Sequence, residues 1–156
     1  MKKEFTIKDS SNKTLVTYYY DGDNDIQVPK IKQNLLKLIN FVLQIITMNY
    51  EKVELEDIYD WAEVLDEELC FILHKETIAA ISDIHNYPKQ VQKKLILLGD
   101  TIRLIIDNNL DKKMKQNHPK WVKVSNLAND ILNNLEIKAL NPSEFLKNEN
   151  LSMDWL

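Results

Sequence analysis

The sequence predicts a mainly α-helical fold, a helical bundle of about five helices with an N-terminal β-hairpin, and an α+β arrangement is the alternative. Three observations lead to it. Only two glycines, Gly22 and Gly99, occur in 156 residues, and the four prolines, Pro29, Pro88, Pro119 and Pro142, stand where helices can begin. Proline suits a first helical turn because the N–H it lacks would have no partner there. Apolar residues recur at helical spacing in successive segments from residue 30 onward. The first 20 residues instead gather β-branched and aromatic side chains around a polar turn. A chain of this length buries about two thirds of its unfolded surface as one domain. Residues 1–148 are therefore read as a single helical domain, with the hairpin in 1–28 and a tail at 149–156.

In chain order, Phe5 and Ile7 alternate with polar neighbours, Asp9-Ser10-Ser11-Asn12 supplies turn chemistry, and Thr14 to Tyr20 is rich in strand formers. A two-stranded hairpin is marginal alone. It is expected to pack on the helices or to pair with another strand, from Ile26 to Val28 or from a second chain. From Lys30 to Asn49, Gln33, Lys37, Asn40 and Gln44 form one narrow polar stripe, which places a helix buried on most sides at the centre of the bundle. An acidic helix is expected after Tyr50, running to about Leu73, with Leu55, Ile58, Ala62, Leu65, Leu69 and Ile72 inward. A shorter helix over Lys75 to His85 carries Ile78, Ala79, Ile81 and Ile84.

Pro88 opens a helix to about Asn108 in which Leu95, Leu98, Gly99, Ile102 and Ile106 share a side. Mid-helix glycine costs about 1 kcal/mol relative to alanine, so Gly99 marks a close crossing or a local kink. The last long helix, from Pro119 to about Leu135, turns Trp121, Val124, Ala128, Ile131 and Leu135 to the core, and a short turn spans Pro142 to Asn148. The similar strings NYPKQV (86–91) and NHPKWV (117–122) read as one helix-start solution used twice, with no ancestral repeat behind it.

Each chemistry-bearing pattern in the chain is incomplete. Asp21-Gly22-Asp23-Asn24-Asp25 begins like a calcium loop, but Ile26 and Lys32 occupy the positions that need glycine and a bidentate glutamate. Residues three before His74, His85 and His118 are Phe71, Ser82 and Lys115, so no di-iron Glu-x-x-His pair exists, and the three read as structural histidines. Cys70 is a lone thiol among Leu69, Phe71 and Ile72, read as a small buried hydrophobe. Asp130 with Glu136-Ile137-Lys138 resembles a nuclease acid-lysine set in composition, yet such sets need an extended strand and this region reads as helix. Two glycines 77 residues apart form no phosphate loop. No catalytic residue, metal or cofactor is expected, and the chain is read as no enzyme. MKKEFTIKDSS has no apolar stretch of a secretory signal, and Leu35 to Ile46 is too short to cross a bilayer, so a cytoplasmic protein without membrane contact is expected.

Charge is distributed unevenly. Residues 51–68, EKVELEDIYDWAEVLDEE, hold nine carboxylates against one lysine, in a chain whose net charge is −4. Glu56, Asp60, Glu63 and Glu67 lie along one stripe, Glu54 and Asp57 flank it, and Tyr59 adds an aromatic anchor; these seven are the candidate partner-binding residues. Like charges four apart cost a few tenths of a kcal/mol per pair, so the stripe suggests a field kept for a basic partner. Between Lys112 and Lys123 lie five lysines, His118 and no acid, a counterweight that could balance the helix inside the fold. Nineteen lysines against one arginine, Arg103, equip the chain poorly for reading nucleic acid, so a lysine-rich nucleic-acid-associated role ranks third. The leading expectation is a protein-binding module that masks a basic protein, such as a nuclease-type toxin, in the manner of an immunity or antitoxin-like inhibitor. The alternative is a structural or regulatory domain that forms a homodimer through its hairpin or its apolar tail, Leu151, Met153, Trp155 and Leu156.

Overall fold

A computed structural model describes residues 2–69, 71–85 and 87–150, the side chains of Ile84 and His85 excepted. Cys70 and the tail residues Leu151, Met153, Trp155 and Leu156 lie outside the described residues, as do the side chains of Ile84 and His85. The chain runs β1 (Lys3–Lys8), β2 (Thr14–Tyr20), α1 (Asn24–Thr47), α2 (Leu55–Glu68), α3 (Lys75–His85), α4 (Lys89–Arg103), α5 (Leu110–Lys115), α6 (Pro119–Asn134) and α7 (Pro142–Asn148). It is a mainly helical bundle with an N-terminal antiparallel hairpin, and it has seven helices among the described residues.

The hairpin pairs Lys3 with Tyr20 through Ile7 with Val16, then bulges between Ile7 and Lys8. Asp9 organises its turn. Its Oδ1 accepts from the backbone N–H of Ser11 and Lys13, both at 2.9 Å, and Asn12 takes the left-handed φ of 67° that asparagine tolerates. Ile7 enters the core and β1 lies against α3, which gives the hairpin the support it lacks alone.

Ile26 to Val28 is helix, so of the options for supporting the hairpin it is packing on the helices that is used, and this segment adds no third strand. α1 starts six residues ahead of Lys30 because Asp23 caps it, accepting from the N–H of Asp25 at 2.9 Å. Pro29 thus falls inside the helix, on an exposed side where the carbonyl it leaves unbonded can be solvated. α1 is the central helix, touching α2, α3, α6 and α7, with Leu35, Ile39, Phe41, Val42, Leu43, Ile45 and Ile46 fully buried. Its polar stripe is not uniformly solvated. Gln44 is wholly buried, donating from Nε2 to the carbonyl of Lys138 at 3.2 Å and accepting at Oε1 from the N–H of Leu140 at 2.7 Å. It ties the α6–α7 link to the bundle.

α2 ends at Glu68 and not near Leu73. The carbonyls of the following turn find partners elsewhere, Leu69 from Arg103 Nε at 3.1 Å and Phe71 from the Thr77 hydroxyl at 2.7 Å, so no helix is needed to satisfy them. The backbone of Leu73 passes against Gly99, where an added Cβ would stand 2.6 Å from the Leu73 carbonyl oxygen. The close approach foreseen at Gly99 is real, but its partner is a turn. α4 stops at Arg103, short of Asn108, and residues 110–115, between the two expected helices, form α5 with Leu110 and Met114 buried. α6 and α7 occupy the expected segments. His118 caps α6 by accepting at Nδ1 from the N–H of Lys120, a structural use of that histidine. A Schellman turn closes α6, in which Ile137 donates to Leu132 and Glu136 holds a left-handed φ of 57°.

Candidate functional site

α2 forms because Ile58, Ala62 and Leu65 recur at 3.6-residue spacing and because Glu56 and Asp57, in its first turn, complement the positive end of the helix dipole. Those three side chains are buried. Leu55, expected inward, is 39% exposed, since it opens the helix a turn before Ile58 at its uncovered end. The remaining circumference is acidic. Glu54, Glu56, Asp57, Tyr59, Asp60, Glu63 and Glu67 are all exposed, and at 100° per residue Glu56, Asp60, Glu63 and Glu67 form the outermost ridge.

The lysine-rich segment does come beside this helix, because α5 packs on α2. Two of its ammonium groups, those of Lys113 and Lys115, are engaged elsewhere. Lys113 pairs with Asp107 and donates to the carbonyl of Ile105, while Lys115 donates to the carbonyl of Val53 at 2.6 Å. Asn117 meets Glu51 at 2.9 Å. Among the described residues, no carboxylate between Glu54 and Glu68 belongs to an ion pair. No basic residue occupies the last turn of α2, where Glu67 and Glu68 oppose the helix dipole. The internal balance anticipated from Lys112 to Lys123 is therefore not made through contacts with the ridge.

Two concavities flank the ridge. On one side, Tyr59, Ala62, Glu63 and Asp66 face the α4–α5 link across a cleft of about 150 Å3 whose far wall includes Asp107 and Asp111. Tyr59 is half exposed and donates to Glu63 Oε1 at 3.2 Å, and that bond with the neighbouring carboxylates raises its phenol above the usual value. On the other side, Asp57, Asp60, Trp61 and Val64 border a groove of about 490 Å3 closed by Met48, Val53 and Leu146. Trp61 meets Phe41 edge-on at 6.0 Å, and Phe41 stacks on Phe145 at 6.1 Å, so an aromatic ladder through α2, α1 and α7 supports this groove.

Glu68 is a further acid whose environment the charge count did not reveal. It is 6% exposed, with no ion pair or hydrogen bond through its carboxyl among the described residues. Burial first, and then the charge of Glu67, push its carboxyl up to about 7. Asp107, Asp111 and Leu146 were equally out of reach, because each lies far along the chain from the acidic stretch, while Met48, three residues before it, becomes a wall of the groove only through the turn between α1 and α2.

Among the described residues, no group of three or more His, Cys, Asp or Glu could hold a metal ion. Asp130 is paired with Lys94 at 2.6 Å, and Lys138 offers its carbonyl to Gln44, so the acid-lysine set is not assembled. Among the described residues, no helix is long and apolar enough to cross a membrane. Compared with protein-family models, curated proteins and solved structures, the chain matches none.

Proposed function

We propose that this chain is a non-enzymatic protein-binding module whose acidic α2 surface binds and masks a basic protein partner, as a toxin-neutralising inhibitor of the immunity or antitoxin type does. One observation carries the reading: the exposed ridge Glu56, Asp60, Glu63 and Glu67, with Glu54, Asp57 and Tyr59 beside it, has no ion-pair partner among the described residues although a lysine-rich helix lies against α2. Unpaired like charges on one ridge repel each other, a cost that an oppositely charged partner relieves. The same field accelerates and orients encounter with such a partner.

The test is capture from the native source with wild-type protein and with the Glu56→Lys/Asp60→Lys/Glu63→Lys variant, whose fold is verified by circular dichroism. The expected result is a basic protein retained by the wild type and lost by the variant. Equal retention by both removes the reading.

A further inference from the structure

The acidic ridge attracts cations without distinguishing among them, whereas the groove beside it can select. Its walls come from three places: α2 contributes Trp61 and Val64, the end of α1 and the α1–α2 link contribute Met48 and Val53, and α7 contributes Leu146. Met48, Val53, Trp61 and Val64 are half-buried, so apolar surface lies open at a volume of about 490 Å3, and Asp57 and Asp60 stand on the rim. Surface of this composition suits an apolar side chain flanked by cations. The carboxylates of Asp57 and Asp60 have no ion pair among the described residues.

Resting on the acidic-surface reading above, we infer that the groove between α2 and α7 is the docking site for a basic amphipathic segment of the partner protein, which seats an apolar side chain on Trp61, Val64 and Leu146 and sets lysine or arginine against Asp57 and Asp60. Charge complementarity selects this occupant. The chain's own tail, ENLSMDWL, is apolar but carries Glu149, Asp154 and no basic residue, so the rim repels it. The aromatic ladder beneath the groove makes it a preformed feature, which lowers the cost of ordering on binding.

The probes are two synthetic peptides of equal length and charge, one of lysine and leucine at helical spacing, the other with serine replacing every leucine, titrated into the full-length chain and followed by NMR. The expected result is about tenfold tighter binding of the lysine-leucine peptide, the effect of burying one leucine-sized side chain, with a shift of the Trp61 indole N–H. Val64→Lys, in which an ammonium group enters the groove, should erase that difference while circular dichroism is unchanged. Equal affinities for the two peptides overturn the groove inference and leave the acidic-surface reading standing. Binding of neither peptide also overturns it, and the charge-reversal capture then decides the acidic-surface reading alone. A gain in affinity on replacing Trp155 and Leu156 with serine would make the tail the occupant. A dimer dissolved by Val64→Lys would make it a second copy. Either result overturns the inference.

Discussion

Glu68 shows how much a single position owes to its surroundings. Eight other carboxylates between Glu51 and Glu67 face solvent, while Glu68, at the last position of α2, is turned inward, where Tyr18 of the hairpin feels its charge. Its folded-state carboxyl sits at about 7, above the ordinary 4.5, so the folded chain holds the proton more tightly than the unfolded chain does. Stability is therefore lost as pH rises between those two values, and the loss is complete above about 7. Glu68→Gln removes the titration. The variant should match the wild type at pH 4 and exceed it above pH 7 by on the order of 1 kcal/mol, after allowance for solvent screening; thermal melts across that range check this, and a constant difference would rule it out. In sequence Glu68 is one more charge of an acidic helix, and only its neighbours make it different.

At the scale of elements, the helices follow from apolar spacing and the breaks between them from partners. The segments of α3, α6 and α7 were legible because Lys75–His85 has a tight apolar period and because Pro119 and Pro142 sit in first turns. The ends of α2 and α4 were not, since Arg103 and Thr77 decide where α2 stops and both lie beyond it in sequence. Gly99 records the most intimate of these contacts. Alanine there would place a methyl group 2.6 Å from the Leu73 carbonyl oxygen and 2.7 Å from its Cβ, so α4 or the α2–α3 turn must shift. Although alanine favours helix, Gly99→Ala should destabilise the fold by about 1–3 kcal/mol in urea denaturation; a gain in stability would show that the approach is looser than this. Gln44 teaches the same lesson from the other side, because a polar stripe marks possible exposure and says nothing of a loop that arrives to bond it.

Across the whole molecule, charge is separated by engagement more than by distance. α5 lies on α2, yet Lys113 and Lys115 serve the chain's own carbonyls and Asp107, leaving the ridge without ion pairs among the described residues. Self-repulsion along the ridge is then screened by salt, with a Debye length that falls from about 30 Å at 0.01 M to about 8 Å at 0.15 M. The wild type should gain about 2–4 °C in Tm over that range, and Glu56→Lys/Asp60→Lys/Glu63→Lys should lose most of the gain. A wild-type Tm that is flat or falls with salt would mean that the ridge is already neutralised.

The hairpin, the helical class, the outward course of Glu56, Asp60, Glu63 and Glu67, and the inward course of Ile58, Ala62 and Leu65 follow from sequence alone. Each of these is written in local periodicity and turn chemistry, which depend on neighbours three or four residues away. Packing across the bundle sets the rest: the burial of Glu68 and Gln44, the engagement of Lys113 and Lys115 away from the ridge, and the groove that Trp61 and Val64 share with Met48 and Leu146. The physical reason is that a pattern along one element states which side is apolar, while what covers that side, and what is left open next to it, depends on residues brought together from dozens of positions apart.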